Sequence, residues 1–406
     1  MAFTTVTGSN GVTFLVGTSG IDVATIVTLA SNVFVGGQEA NDSIVVNLAT
    51  GGTVVSGYTV NGGAGDDSIQ FISSVLGSVV SGDGGTGAAG NDTLTFQQSV
   101  INTDVRAGSG NDIIDVFGVL NNSTVNGNAG DDAIRIVNAS AASFVYGGQG
   151  TDTITTFANA STVLINGNRG SDIITLGAAG FATSSVYGGQ GNDVINAAAV
   201  TTNAGGALSV TSAGAFLSGD LGDDLVTGTT GIDTIEGGDG ADTLAGGSGA
   251  DVINGGAGDD SIIGGAGADV LTGGGGNNAF DYNTLTDATV NGSTGFDTIT
   301  DFVANTDAVT PNGDRLDVAV LPPFIQAFNF NTGIGGANSL VSAFNAILGG
   351  LGANHVALVT LTPGAVGASY AGNYIVINDG IAGYSNTGDA VIKVNTLANI
   401  GAATFV

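Results

Sequence analysis

The apolar positions of the chain recur at fixed intervals. Residues 219–281 divide into seven consecutive blocks of nine residues, among them GGSGADVIN and GGAGDDSII. The eighth position of every block is apolar, and the sixth is aspartate in all blocks but the last, which has asparagine. One inward-facing aliphatic after each glycine-rich turn predicts one short strand per block. Because each strand can bury only one face, the blocks are predicted to stack into a solenoid.

A longer version of the pattern precedes these blocks. A Gly-Asp half-motif recurs with spacings of 25, 25, 20, 20, 20, 20 and 21 residues, and GTSGIDVA is a weaker first copy. An aliphatic follows each aspartate by two residues, and another precedes most of them by seven. Asp92 is the exception, because the insert GTGAA displaces Val80 in the sequence. Each coil is therefore predicted as strand, Gly-Asp turn, strand and polar turn.

The glycines and aspartates of the nine-residue blocks predict metal ligands. Glycine permits positive φ and close backbone approach, so turn carbonyls can converge, and aspartate adds a carboxylate. Oxygen ligands of this kind suit Ca²⁺. Two blocks make one coil, so Asp224, Asp242 and Asp260 are predicted to stack on one edge. The predicted second stack contains Asp233, Asp251 and Asp269. The candidate glycines are Gly237, Gly240, Gly246, Gly249, Gly255, Gly258, Gly264 and Gly267.

The 20-residue coils are predicted to keep one such edge and to replace the other with a polar loop. Their candidate ligands are Asp42, Asp67, Asp92, Asp112, Asp132, Asp152, Asp172 and Asp193. The polar loops, such as GVLNNST and NASAAS, lack the aspartate. The alternative for this half of the chain is a β-helix with Asp and Asn turns and no metal.

Charge and composition narrow the classes of function. The chain has 35 acidic and five basic residues, a net charge of −30, and no cysteine. This negative charge disfavours nucleic acid as a partner. Repulsion between the acidic residues also destabilises the compact chain unless a cation is bound. Disulfides and thiolate metal sites are excluded. The apolar fraction of 42% is large enough for a buried core.

The rest of the chain is predicted as a small mixed α/β cap. Residues 338–350 read as a helix, and HVALVTL, NYIVIND and AVIKVNTL read as strands. The predicted domains are 1–218, 219–281 and 282–406. No membrane span is predicted, and MAFTTVTGSNGVTF does not read as a secretory signal peptide.

The blocks of 219–281 match G-G-x-G-x-D-x-U-x and resemble the RTX (repeats-in-toxin) calcium-binding family. TITDFVANTD and GDAVIKVNTLANIGAATFV resemble the C-terminal region of type I-secreted RTX proteins, including bacterial S-layer proteins. The resemblance is strong over 219–281 and loose over 17–196. It implies an all-β, right-handed parallel β-roll solenoid with bound Ca²⁺ and export by the type I secretion machinery.

The sequence does not indicate an enzyme. H-E-x-x-H and G-x-S-x-G are absent, and the repeats leave no room for a catalytic domain. The prediction is a secreted, calcium-dependent, self-assembling structural protein of the cell surface, either an S-layer subunit or an extracellular matrix fibre. Its expected partner is a second copy of the chain. The alternative is an adhesin that binds cell-surface polysaccharide, and a calcium-stabilised enzyme is a third hypothesis.

Overall fold

A computed structural model gives the structure of the chain. It describes residues 4–7, 13–26, 33–47, 54–84, 89–140, 142–160, 162–177, 184–197, 214–282, 297–303, 314–318, 324–330, 355–361, 372–377 and 390–395. The chain forms two compact units, 1–216 and 217–406.

The first unit is built from short strands. They are β1 (Thr4–Thr7), β2 (Thr13–Val16), β3 (Val23–Ile26), β4 (Val33–Glu39), β5 (Ser43–Val46), β6 (Val54–Ser56), β7 (Thr59–Ala64), β8 (Ser68–Phe71), β9 (Ser74–Leu76), β10 (Val79–Asp83), β11 (Thr93–Phe96), β12 (Val100–Ile101), β13 (Asp104–Ser109), β14 (Ile113–Asn121), β15 (Thr124–Ala129), β16 (Ala133–Ser140), β17 (Ser143–Gln149), β18 (Thr153–Ala160), β19 (Val163–Arg169), β20 (Ile173–Leu176), β21 (Ser185–Gln190) and β22 (Val194–Asn196).

Each coil of this unit adds one strand to each of two parallel sheets. In the first sheet, β7 pairs with β10, β10 with β13, and β13 with β15. In the second sheet, β8 pairs with β11, β11 with β14, and β14 with β16. The strand before each Gly-Asp turn therefore stacks in one sheet, and the strand after it stacks in the other. This is the parallel solenoid that the sequence predicts.

The aliphatic positions of the sequence pattern form the core between the two sheets. Val60, Val80 and Val105 are in register and fully buried. Val80 keeps its place in this column, although the insert displaces it in the sequence. In the opposite sheet, Phe71 stacks on Phe96 with ring centroids 5.3 Å apart. The strict register lets identical side chains pack on one another along the solenoid.

The second unit continues the same architecture with shorter coils. Its strands are β23 (Phe216–Leu221), which begins at the last residue of the first unit, β24 (Leu225–Thr227), β25 (Thr234–Asp239), β26 (Thr243–Ser248), β27 (Val252–Ala257), β28 (Ser261–Ala266), β29 (Val270–Gly275), β30 (Ala279–Tyr282), β31 (Asp297–Ile299), β32 (Arg315–Val318), β33 (Phe324–Phe330), β34 (His355–Leu361), β35 (Gly372–Ile377) and β36 (Ala390–Val394).

Parallel pairs link β25, β27, β29 and β31 in one sheet, and β24, β26, β28, β30 and β32 in the other. At the C-terminal end, β36 pairs with β31, and β35 and β34 follow in antiparallel order. The three predicted C-terminal strands are therefore confirmed. The predicted helix at 338–350 lies outside the described residues, within which the structure has no helix.

Candidate metal centre

A continuous column of aspartates runs along one edge of the first unit. Asp42, Asp67, Asp92, Asp112, Asp132, Asp152, Asp172 and Asp193 each follow a Gly-Asp turn and are at most 3% exposed. In each, Oδ1 accepts a hydrogen bond from the backbone N–H of the aspartate one coil earlier. These N···O distances lie between 2.6 and 2.8 Å. Asp22 begins the column by donating its N–H to Asp42.

The second unit has two such columns, one on each edge. One runs from Asp224 through Asp242 and Asp260 to Asn278. The other runs from Asp233 through Asp251 to Asp269. The structure thus brings the predicted residues together in the two predicted stacks.

Both columns extend beyond the nine-residue blocks. Asp269 donates its N–H to Asp297, and Asn278 donates to Asp314. Asp297 and Asp314 are at most 3% exposed, as the preceding members are. Sequence reasoning ended the repeat at residue 281 and missed both residues. The available signal was an aspartate followed two residues later by a buried aliphatic, in FDTI and GDRL.

The second carboxylate oxygen of these columns is buried without a hydrogen-bond donor. This holds for Oδ2 of Asp42, Asp67, Asp92, Asp112, Asp132, Asp152, Asp172, Asp242, Asp251 and Asp260. Burying a charged oxygen without a partner costs free energy unless a cation or a proton compensates it. Compensating positive charge is therefore needed at the same position in successive coils.

Glycine lies beside these oxygens in most coils because a larger residue would crowd the turn of the next coil, and Ala107 beside Asp112 is an exception. A methyl group on Gly255 would lie 2.5 Å from the carbonyl oxygen of Gly273 and closer still to Asp260 Oδ2. The carboxylate and a carbonyl of the next coil therefore converge on the first glycine of the block. The predicted residues Gly237, Gly246 and Gly264 occupy equivalent places.

The glycine at the fourth position of the block lets the turns stack backbone to backbone. Gly240 and Gly258 have φ of +142° and +139°, and the carbonyl of Gly240 faces the α-carbon of Gly258. Gly249 also has positive φ, and Gly267 stacks on Gly249 in the same way. The predicted glycines thus line both edges, with their carbonyls close to the aspartate columns.

Burial raises the pKa of seven column carboxyls far above the ordinary aspartate value. The main cause is the loss of water around the charged form, and neighbouring carboxylates of the column add to it. The backbone N–H from the preceding coil acts in the opposite direction. The pKa is raised to about 8 for Asp92, to about 7 for Asp112, Asp132, Asp152 and Asp251, and to about 6 for Asp67 and Asp260.

These residues fit a hard divalent cation that is bound mainly by carbonyl oxygens. Among the described residues, no three Asp, Glu, His or Cys side chains come together as a metal-binding group. The turns of the ten aspartates named above instead offer one donor-free carboxylate oxygen each, and in most of them it lies beside a carbonyl of the next coil. Ca²⁺ accepts such mixed oxygen ligands in flexible geometry. When bound, it would supply the positive charge that the columns lack.

The opposite edge of the first unit carries a column of hydroxyl groups instead. Tyr58, Ser78 and Thr103 donate their backbone N–H to the hydroxyls of Ser78, Thr103 and Ser123, at 3.0–3.4 Å. These hydroxyl residues are at most 4% exposed. The polar loop predicted for this edge therefore has its own ladder. Sequence reasoning missed it because serine and threonine are common throughout the chain.

The second acid of pairs such as Asp66-Asp67 belongs to a separate, exposed ladder. Asp66 donates its N–H to Asn41 Oδ1 and accepts from the N–H of Asn91. Asp131 does the same between Asn111 and Thr151. These adjacent acids therefore join successive turns by hydrogen bonds.

Comparison with known proteins agrees with the geometry of the turns. A model of the RTX calcium-binding nonapeptide repeat matches four copies, at residues 59–70, 184–199, 218–253 and 246–280. These segments are RTX repeats, and RTX repeats bind calcium. No curated protein matches the chain. Among the described residues, no helix is long and apolar enough to span a membrane.

One solved structure similar to the chain is the solution structure of the AlgE6R2 subunit from the Azotobacter vinelandii mannuronan C5-epimerase. The two are 22% identical, and the match covers 45% of this chain and 90% of that one, with a TM-score of 0.28.

Proposed function

From the RTX repeats that the chain carries, we propose that it is a secreted structural protein of the cell surface, which folds and assembles when it binds calcium. The buried aspartate columns are the observation that carries this proposal. They repeat a donor-free carboxylate oxygen over many coils, in a chain with a net charge of −30. A function that uses one substrate would need one such site, whereas a calcium-dependent scaffold uses the whole series.

Calcium binding would be coupled to folding. Without the cation, the buried carboxylates oppose compaction, and the 72 glycines add a large conformational entropy cost. A ligand that binds only the folded state shifts the equilibrium toward that state. The chain would therefore stay unfolded at the low calcium concentration of a cytoplasm and fold at the higher concentration outside. This supports export of an unfolded chain by type I secretion.

The first experiment is far-UV circular dichroism of the full chain in excess EGTA and again after calcium is restored. We expect the β-structure signal to fall with EGTA and to return with calcium. Magnesium at the same concentration is the control, and it should restore much less structure because it demands stricter octahedral geometry. An unchanged spectrum in EGTA would contradict the proposal.

Exposed apolar side chains support assembly into larger structures. Phe117, Phe157 and Ile173, on strands of the second sheet, are 48%, 45% and 44% exposed. Apolar groups on a sheet surface favour contact with a second copy of the chain. Negative-stain electron microscopy would test this. We expect ordered sheets or fibres only with calcium, whereas dispersed single particles under both conditions would contradict the assembly role.

A second candidate function is saccharide binding. An open groove of about 730 Å³ crosses the first unit, and its lining includes Asn102, Arg106, Asn122, Asn126 and Tyr146. Amide and guanidinium groups suit sugar hydroxyls, and a tyrosine ring offers an apolar face. Affinity electrophoresis in gels that contain neutral or acidic polysaccharide would test it. Retardation that Tyr146→Ala abolishes and Tyr187→Ala preserves would favour this function.

A further inference from the structure

Asp83 is an acid that the repeat pattern does not account for. It precedes the insert in the turn that ends at Asp92, and it is in register with Gly63 of the preceding coil. Gly63 and Gly108, in the coils on either side, have φ of +125° and +133°. Asp83 is outside this left-handed region and carries a side chain where the nine-residue pattern has glycine.

The carboxylate of Asp83 reaches into the turn of the next coil. Its Oδ2 accepts a hydrogen bond of 2.5 Å from the backbone N–H of Ser109. The same carboxylate packs against the α-carbon of Gly108. Its Oδ1 is buried and has no hydrogen-bond donor. A carboxylate oxygen in this position needs a proton or a cation.

The donor-free oxygen of Asp92 borders the same interface between turns. Asp92 is 1% exposed, and its Oδ2 lies beside the α-carbon of Gly82 together with the carbonyl oxygen of Ala107. Gly82 directly precedes Asp83 in the chain, and Ala107 directly precedes Gly108. The carboxylate of Asp83 and the contact of Asp92 with the Ala107 carbonyl therefore belong to neighbouring residues of the same two stacked turns.

The charges around this interface are negative. Asp83 interacts electrostatically with the carboxylates of Asp67, Asp92 and Asp112 in the column. Arg106 is the base on the adjoining strand, and it forms an ion pair with Asp104. Asp83 thus adds negative charge to a column that already carries buried carboxylates, which is unfavourable unless a cation binds there.

We propose that Asp83 is an additional calcium ligand, outside the nine-residue pattern, at the interface between the turns that hold Asp92 and Ala107. Calcium there would have two carboxylate ligands and backbone carbonyls, whereas the regular turns offer one carboxylate each. Because the number of charged ligands tunes calcium affinity, this becomes the tightest site of the first unit. The inference rests on the proposed calcium-dependent function.

Isothermal titration of the full, calcium-stripped chain with calcium tests the assignment. In Asp83→Asn, we expect the tightest class of sites to lose one ion or to bind it about tenfold more weakly. Asp83→Glu keeps the charge and should retain part of the affinity. Asp104→Asn is the matched control, because it removes the same charge from the outer surface of the next strand and should leave the titration unchanged.

Thermal unfolding distinguishes a calcium-binding role of Asp83 from a role only as a hydrogen-bond acceptor. We expect Asp83→Asn to lower the Tm in calcium and not in chelator-treated buffer. If Asp83 serves only as an acceptor for Ser109, the variant will titrate like the wild type and lose stability equally in both buffers, and the assignment is overturned. A wild-type chain that binds no calcium would instead overturn the proposed function itself.

Discussion

A methyl group beside a column carboxylate crowds the turn of the next coil. Gly82, Gly127 and Gly147 each have an aspartate Oδ2 and a carbonyl of the next coil against the α-carbon. Ala107 occupies this column between Gly82 and Gly127, as the register of Arg106 with Ser81 and Asn126 shows. It places a methyl group next to Asp112, where every neighbouring coil has only hydrogen.

We predict that Gly127→Ala destabilises the calcium-loaded protein. The new methyl would lie 2.5 Å from the carbonyl oxygen of Gly147 and closer still to Asp132 Oδ2, and a backbone carbonyl cannot move aside cheaply. Overpacking of this kind costs about 1–3 kcal/mol, and displacement of calcium adds to it. Urea unfolding in calcium measures the change in free energy.

Two variants control for this prediction. Gly20→Ala places its methyl group in open space, 3.9 Å from the nearest atom, and should be close to neutral. Ala107→Gly should strengthen calcium binding, since it clears the space beside Asp112. Equal stability of Gly127→Ala and Gly20→Ala would contradict the close packing of this column.

At this scale the sequence predicted most of the site. Glycine and aspartate at fixed positions have direct physical reasons, so both columns of the second unit could be assigned from the blocks alone. Asp297 and Asp314 could not, because they lie 28 and 36 residues after their partners, outside the repeat period. Asp83 was missed as well, because its role depends on the turn of the next coil.

At the scale of the edge, the hydroxyl ladder of the first unit is expected to act independently of calcium. We predict that Ser123→Ala lowers the free energy of unfolding by about 1–3 kcal/mol, because the buried N–H of Thr103 loses its acceptor. The loss should be the same in calcium and in chelator-treated buffer, which urea unfolding in both buffers would measure.

Ser123→Thr is the matched control for the ladder. It keeps the hydroxyl, and threonine already occupies the same column at Thr103, so its stability should stay near that of the wild type. A loss in Ser123→Ala that appears only in calcium would show that this edge also depends on the ion.

The aspartate edge should respond to pH in the calcium-free protein. Asp132 has its pKa raised from 3.8 to about 7 in the folded state. Between these values the folded chain holds protons that the unfolded chain has released, so stability falls as pH rises through this range. We predict that calcium-stripped protein has more β-structure at pH 5 than at pH 8, by circular dichroism in chelator-treated buffer.

Calcium should reverse this dependence because it binds the ionised carboxylates. The loaded protein should gain stability with pH over the same interval, and loading near pH 6.5 should release protons, which titration calorimetry in two buffers of different ionisation enthalpy would measure. Calcium-free stability that rises with pH would contradict the buried, protonated column.

The spacing of the repeats predicted that turns alternate between two edges of the solenoid. The side-chain chemistry of these edges was predictable only in part. The absence of aspartate from the loops GVLNNST and NASAAS indicated an edge without metal. The hydroxyl acceptors that replace it were not apparent, because a single buried serine per loop has no distinctive sequence signal. The strands also keep their register across the long spacings of 25 residues.

At the scale of the whole molecule, the two units differ in how much of their edge structure depends on calcium. Coils of 219–281 have carboxylate columns on both edges, whereas coils of the first unit have one carboxylate edge and one hydroxyl edge. Removing calcium therefore leaves both edges of the nine-residue coils with uncompensated charge, but only one edge of the longer coils.

We predict that the two regions lose structure at different calcium concentrations. Amide hydrogen exchange across a series of calcium buffers should show peptides from 234–275 losing protection at a higher free calcium than peptides from 113–176. The hydroxyl ladder and the larger core of the 20-residue coils provide stability that does not depend on the ion. Ser123→Ala should bring the two midpoints closer together, because it weakens the calcium-independent edge. Simultaneous loss of protection in both regions of the wild-type chain would mean that the unfolding is a single cooperative event, governed by the calcium columns alone.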